Sequence, residues 1–565
     1  MKTFPQYPLR KIFQLDGLWD FKFLDDIEIE NIDPFLHEFD NIMCVPGAFD
    51  CSPDYYCKRG VAIYRTEFNI DADCKNSLLK SGGIGLRGRF WIDNREIGFT
   101  NLPYSGIEFA GGHLSAGKHE FYAAIDNRMD PDKMKLFLPA YDFYAFGGFY
   151  RSIELHILPD NFYIDRIQVR TADYKKGKVG ITFLFKGNVP AEEKVLLRFN
   201  TEKDFRQIDL SIIQGRAQIE MSVPDFQLWS VNKPALHTLE VKTVNDYIIE
   251  SFGIREIKTG NRILLLNGEP VYLKGFNRHE SHPGFGPAIP EQLLIEDLQN
   301  LKAMNCNFVR GCHYPQDQRF LDLCDRTGLL VWEESLGWGN TAEQMADPEF
   351  ISLQEQQTRF MVRNSINHPS IIIWAFLNEF HSQTGEGRDI CKKLVTTIKK
   401  EDSSRLVTFA CNHTGDDTCF DLVDIISYNT YPGWISNDNI REPVDEIAPD
   451  RDKIIKYFRS CIPAEKPILI SEMGCCGVYG EHDRAYAQWT EDFQAEYLAE
   501  VIKRIFDSAE ICGLTIWQLN DAKSYLRKGA NIRCKPFALN LAGVFDQYRR
   551  PKLAVKVVQT LFRNK

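Results

Sequence analysis

Hydrophobic and polar positions alternate in short runs through the first part of the chain. FQLDGLWDFKF (13–23), VAIYRTEFNI (61–70), GIGLRGRFWIDNREIG (83–98) and GKHEFYAAIDN (117–127) each mix aromatic and β-branched residues with polar ones. Gly, Pro, Asn and Asp punctuate them, a pattern that predicts an all-β sandwich over residues 1–158. Residues 159–256 keep the same texture, with IDRIQVRTADY, KVGITFLFKG, EKVLLRFNT, AQIEMSVP, HTLEVKTV and YIIESFGIREI spaced like strands of a small immunoglobulin-like sandwich. From residue 257 to 565 the pattern changes. Apolar runs at 271–278, 307–314, 329–335, 371–379, 406–411, 425–431, 468–474 and 513–519 now alternate with amphipathic stretches. In one of these, EQLLIEDLQNLKAM (291–304), Leu294, Asp297, Leu298 and Leu301 recur at helical spacing. Eight strand–helix units in succession predict a (β/α)8 TIM barrel.

Composition narrows the function classes. The chain has 565 residues, enough for about three to five domains. A hydrophobic share of 44% and a charged share of 26% are those of a globular protein. The net charge of −11 argues against a large nucleic-acid or anionic-membrane footprint, since both need clustered positive charge. Aromatic residues make up 12%, enough to fill three cores and leave some for stacking against a ligand. The longest clean apolar run, Ile371 to Leu377, is too short to span a bilayer. The opening MKTFPQYPLRKIFQLDG has no apolar stretch of signal-peptide type, and the 15 cysteines form no CxxC pairs, so the expectation is a cytoplasmic protein with reduced thiols.

Active sites of such barrels lie at the C-terminal strand ends. Here those ends read Asn277-Arg278-His279-Glu280, His313-Tyr314, Glu333-Glu334, Asn378-Glu379, Asn429 to Tyr431, Glu472 and Trp517. No P-loop, GxGxxG after a strand, HExxH or GxSxG is present, which argues against nucleotide, zinc-protease and serine-hydrolase chemistry. Carboxylates, hydrogen-bonding groups and aromatic rings remain. Glu379 ends the fourth predicted strand and Glu472 the seventh, facing each other across the mouth. Glycoside cleavage needs such a pair, one carboxylic acid to protonate the leaving oxygen and one carboxylate on the other side of the bond.

With these residues in place, the sequence resembles glycoside hydrolase family 2 over nearly its whole length. GLWDF (17–21), YRTEF (64–68) and FGGFYRSIEL (146–155) resemble the family's jelly-roll sugar-binding domain, and LWSVNKPALHTLEV (228–241) its immunoglobulin-like domain. KGFNRHESH (274–282), VRGCHYP (309–315), NHPSIIIWAFLNE (367–379), SYNTYPGW (427–434) and SEMG (471–474) resemble its barrel. The resemblance implies a retaining exo-β-glycosidase with a β-glycoside as partner, assembled as a homo-oligomer, and no nucleic-acid or membrane partner. It implies Glu379 as general acid and base and Glu472 as nucleophile. Asn378 then meets the sugar 2-hydroxyl, and Tyr431 orients Glu472. His279, His313, Asn429, Trp434 and Trp517 line the sugar pocket, and Asp142, in AYDFYAFGGFYRS (140–152), reaches over from the jelly-roll domain.

The sugar is read from two stretches. β-Glucuronidases of the family carry Asn-x-Lys where this chain has Asn540 and Ala542, so the cation that grips a uronate carboxylate is missing at that place. The preceding loop SYLRKGANIRCK (524–535) carries other cations that could reach the mouth. Glu280 and His282 resemble the β-galactosidase element that holds Mg²⁺ together with the acid/base Glu, with structural hydrogen bonding as the competing reading. The chemistry itself needs no cofactor. These points set a β-galactosidase slightly ahead of a β-glucuronidase or β-galacturonidase, with a non-catalytic carbohydrate-binding protein as the rival outside enzymes.

Overall fold

The structure, a computed structural model, describes residues 3–139, 141–200, 202–413, 415–432, 452–453, 455–456, 459–460, 465–525 and 535–565. The first part is two antiparallel sheets. One runs Ile12–Gln14, Ile153–Leu158, Asn76–Ser81, Ile107–Ala110, and the other Asn41–Val45, Gly17–Leu24, Val61–Ile70, Gly117–Asp126, Arg87–Ile92, Arg95–Thr100. Inward-facing aromatics, among them Trp19, Phe21, Tyr64, Phe90, Phe121 and Phe149, fill the space between them.

A second sandwich follows. Its sheets are Phe162–Asp173, Lys178–Gly187, Arg216–Ser222 and Arg206–Ser211, Glu192–Phe199, His237–Lys242, Tyr247–Phe252. Arg206–Ser211 was not expected from the sequence. It is an edge strand with Leu210 as its one buried residue, so it shows no alternation to read.

The barrel strands are β1 (Leu273–Arg278), β2 (Phe308–Gly311), β3 (Leu330–Trp338), β4 (Ile371–Asn378), β5 (Leu406–Thr408 with Ala410–Cys411), β6 (Ile426–Asn429), β7 (Ile468–Glu472) and β8 (Ile511–Ile516). All pairs are parallel, and β1 pairs with β8, so the sheet closes apart from the break at Phe409 within β5. Each expected strand is present within a few residues. Buried on both faces, these strands read as continuous apolar runs rather than alternating ones. Trp229, Ile257, Leu264 and Leu266, from the approach to the barrel, pack with Leu273, Phe308, Leu330 and Ile372 near the strand starts.

The helix Glu291–Ala303 buries Leu294, Asp297, Leu298 and Leu301, the four residues the spacing singled out. Asp297 is tolerated there because Arg278 and Arg549 both reach it at 3.0 Å. The first sandwich also enters the barrel's core. Leu136, Phe137, Tyr141, Phe143 and Phe146 join the cluster that holds the barrel and its helices, and Tyr104 stacks on Tyr314 at 3.8 Å. The stretch carrying Asp142 is thereby fixed against the mouth. No helix among the described residues is long and apolar enough to cross a membrane.

Candidate active site

The site is organised around a buried arginine. Arg310, in the middle of β2, has no exposed surface, and a charge in that position must be paired. Its guanidinium donates to both oxygens of Glu334 (3.0 and 3.1 Å), to Asn277 Oδ1 (3.0 Å), to Asn378 Oδ1 (2.9 Å) and to Glu472 Oε1 (2.5 Å). Glu334 is held in turn by Trp332 Nε1 (2.8 Å) and His313 Nδ1 (2.9 Å). One cation thus ties five strands together: β1, β2, β3, β4 and β7.

Asn378 and Glu379 end β4, with Leu377 and Glu379 in the left-handed region at φ 44° and 52°. Such conformations cost non-glycine residues about 1–3 kcal/mol each and gather where a site needs them. Here they break the strand's alternation of faces. As a result Asn429 Nδ2 reaches both Asn378 Oδ1 (3.1 Å) and Glu379 Oε1 (2.8 Å), which successive residues of a regular strand would not permit. Asn429 is held by Ser471 Oγ at 2.7 Å. Asn378 keeps its Nδ2 buried without a protein partner.

Glu472 ends β7 in register with Asn429. Its second oxygen accepts from the Tyr431 hydroxyl, so both oxygens face donors. The two glutamates differ in surroundings. Burial, reinforced by the charge of Glu472, pushes the Glu379 carboxyl up to about 8, against the lowering effects of Asn429 and Arg310. Burial brings His313 down to about 3 and holds His279 well below its ordinary value, so both rings are neutral. Trp517 stacks on His313 at 5.5 Å and meets His279 edge-on at 5.4 Å, forming one wall.

The structure therefore brings Glu379, Glu472, Asn378, Asn429, Tyr431, His313, His279 and Trp517 to one end of the barrel. Asp142 joins them from the first sandwich. It pairs with Lys535 at 2.9 Å, its charge acts on Glu379, and that of Lys535 acts on His279. Trp434 lies outside the described residues, as do Arg527, Lys528 and Arg533. Asn540 is buried, with its Oδ1 accepting from the Ala542 amide at 3.2 Å. Ala542 packs against Cys312, Cys476 and Trp517.

At Glu280 and His282 the structure shows the hydrogen bonding that was the competing reading. Glu280 Oε2 accepts from Arg151 at 3.0 Å and Oε1 from the Asp317 amide at 2.8 Å. His282 Nδ1 accepts from the Gly284 amide at 3.1 Å. Among the described residues, Glu280, His282 and Glu379 do not form a group of converging ligand atoms. A guanidinium occupies the coordination space of Glu280, so this donor set does not fit Mg²⁺. Sequence reasoning passed over Arg310 and Ser471 as working residues and placed Glu334 at a strand end without giving it a role. An arginine inside a fully apolar barrel strand was the available signal for the first.

A parallel barrel with two neighbouring glutamates at its mouth is the arrangement that glycoside cleavage needs. Residues 256–564 match the TIM barrel domain of glycosyl hydrolases family 2, and the chain belongs to that family. It is a hydrolase of O-glycosyl bonds. It resembles a β-glucuronidase of Streptococcus agalactiae at 24% identity over 97% of this chain and 96% of that one. A β-glucuronidase of Chlorocebus aethiops is 29% identical over 86% of this chain and 72% of that protein. Among solved structures, a GH2 β-galacturonidase from Eisenbergiella tayi bound to galacturonate superposes with a TM-score of 0.90 at 29% identity. That match covers 100% of this chain and 99% of the other.

Proposed function

We propose that the enzyme is a retaining exo-β-uronidase. The observation that carries the mechanism is the pairing of Glu379, its carboxyl pushed up to about 8, with Glu472, which faces Arg310 and Tyr431. Glu379 protonates the glycosidic oxygen while Glu472 attacks the anomeric carbon. The C–O bond to the aglycone breaks, and a glycosyl–Glu472 ester forms. That step removes the negative charge of Glu472, so the repulsion on Glu379 falls and it works as a carboxylate base. It takes a proton from water, the water oxygen attacks the anomeric carbon, and Glu472 leaves. The free Nδ2 of Asn378 donates to the sugar 2-hydroxyl, a bond that strengthens at the transition state.

The uronide reading rests on Lys535. This buried cation lies on Asp142 and exerts its charge at His279, so it supplies at the mouth the positive charge missing at Ala542. The names of the relatives point the same way. The galactoside preference drawn from Glu280 and His282 loses its ground, because Glu280 is committed to Arg151. Nitrophenyl β-glucuronide, β-galacturonide and β-galactoside test the proposal. Turnover of a uronide at a kcat/KM about 10–100-fold above the galactoside is expected, the worth of a charged hydrogen-bonded pair. Preference for the galactoside refutes it. Sugar binding without cleavage of any β-glycoside favours the carbohydrate-binding rival.

A further inference from the structure

Beside this pocket, His279, Cys312 and His313 each present a ligand atom. The three atoms lie within 4.8 Å of one another, and all three residues are buried. Cys312 and His313 are consecutive, and His279 follows β1, which pairs Arg278 with Gly311 of β2. Neutral imidazole nitrogens with a thiolate are the donor set of borderline-soft ions such as Zn²⁺. His313 spends Nδ1 on the Glu334 carboxylate at 2.9 Å, the arrangement that orients a ligating histidine and leaves Nε2 for a metal. His279 has its Nδ1 at 3.2 Å from the Tyr314 hydroxyl, so its Nε2 is likewise the outward nitrogen.

In the second group of this kind among the described residues, Asp322, Asp325 and His368, both ring nitrogens of the histidine are already engaged: His368 Nδ1 lies 2.6 Å from Asp325 Oδ2 and Nε2 lies 3.1 Å from Gln318 Oε1.

We infer that His279, Cys312 and His313 form an inhibitory site for a thiophilic divalent cation of the Zn²⁺ class, which closes the sugar pocket when bound. Cys312 releases its proton to solvent as the sulfur–metal bond forms, and no electron changes hands. Bonds of about 2.0–2.3 Å set tetrahedral ligand atoms about 3.3–3.6 Å apart, so the three atoms close by about 1 Å or a little more from their widest separation. The ion then sits against Trp517, which stacks on His313 and packs against Cys312. Burial, and after it the charges of Glu472 and Glu334, push the Cys312 thiol well up against the lowering effect of Arg310, so the ion must displace that proton; once bound it faces Glu472 and screens the attacking carboxylate.

The blocking of substrate rests on the pocket assignment proposed above; the binding of metal does not. Full-length enzyme, freed of metals and thiol reagents, is titrated with Co²⁺ and then Zn²⁺. The expected result is a thiolate-to-cobalt charge-transfer band that Zn²⁺ abolishes, and Zn²⁺ inhibition competitive with the nitrophenyl uronide. Cys312→Ser and Cys312→Ala keep the metal-free kcat and KM but lose the band. Their inhibition constant rises about 100-fold or more, since even supporting residues cost about 10–100-fold in metal affinity. Equal Zn²⁺ inhibition of wild type and both variants, or no cobalt band, overturns the site. A band dependent on Cys312 with non-competitive inhibition overturns the blocking and the pocket assignment while the metal site stands. If no glycoside is turned over, the proposed function fails and the cobalt titration still decides the site.

Discussion

Glu379→Gln isolates the charge state on which the proposed mechanism depends. The carboxyl titrates at about 8 instead of its ordinary 4.5, because burial removes water from its charged form and Glu472 repels it. Between those two values the folded protein keeps a proton that the unfolded chain releases. The group's stabilising contribution is therefore complete below pH 4.5 and is lost as pH rises through about 8. Each pH unit in that window is worth about 1.4 kcal/mol, so the whole span reaches about 5 kcal/mol. That figure is an upper bound, since Glu379 keeps partial contact with solvent. Gln carries no charge at any pH. Urea unfolding of both proteins from pH 5 to 9 should show the variant gaining on the wild type through the window and levelling off above it. In activity, general acid catalysis is worth about 10²–10⁴, and the variant should lose that much with poor leaving groups. It should lose much less in the glycosylation step with a dinitrophenyl glycoside, whose leaving group needs little protonation. The alkaline fall of wild-type kcat/KM near pH 8 should vanish. Parallel stability curves, or an alkaline limb that survives the substitution, would refute the assigned charge state.

Further outcomes follow from the same geometry. Glu472→Gln should abolish turnover and leave sugar binding measurable by calorimetry; residual turnover near wild type would remove it from the role of nucleophile. Lys535→Ala should lower kcat/KM for the uronide about 10–100-fold, the worth of a charged hydrogen bond, while leaving any slow galactoside turnover unchanged. An equal loss on both sugars would place Lys535 in structure rather than specificity. Arg310→Met should leave Glu334 and Glu472 buried without their cation and lower stability by about 3–5 kcal/mol, read as a lower urea midpoint at unchanged slope. Asn378→Ala should reduce kcat about 10–100-fold with little change in KM, because its bond is expected chiefly at the transition state. A rise in KM alone would contradict that.

Much of this molecule was legible in the order of its residues. Local signals survive in sequence: the apolar runs of buried parallel strands, the helical spacing around Leu294 and Leu298, and the polar residues that end β4 and β7. Those signals placed Glu379 and Glu472 at the barrel mouth. The hydrogen bonding of Glu280 was not legible, because its partner, Arg151, lies 129 residues away in the first sandwich domain. Arg206–Ser211 escaped because an edge strand with one buried residue has no period to detect.

The sequence by itself determined the succession of strands and helices, the family and the pair of carboxylates, since each rests on short-range pattern and on residue types at strand ends. Tertiary structure alone decided how charge is distributed among them. Arg310 selects Glu472 and Glu334 from strands far apart in the chain, and Lys535 meets Asp142 only because the first sandwich packs into the barrel's core. Electrostatic energy depends on distance in space and on burial, and neither quantity is written along the chain. For that reason the carboxylate pair could be read from sequence, whereas the protonation of Glu379 and the cation at the sugar pocket could not.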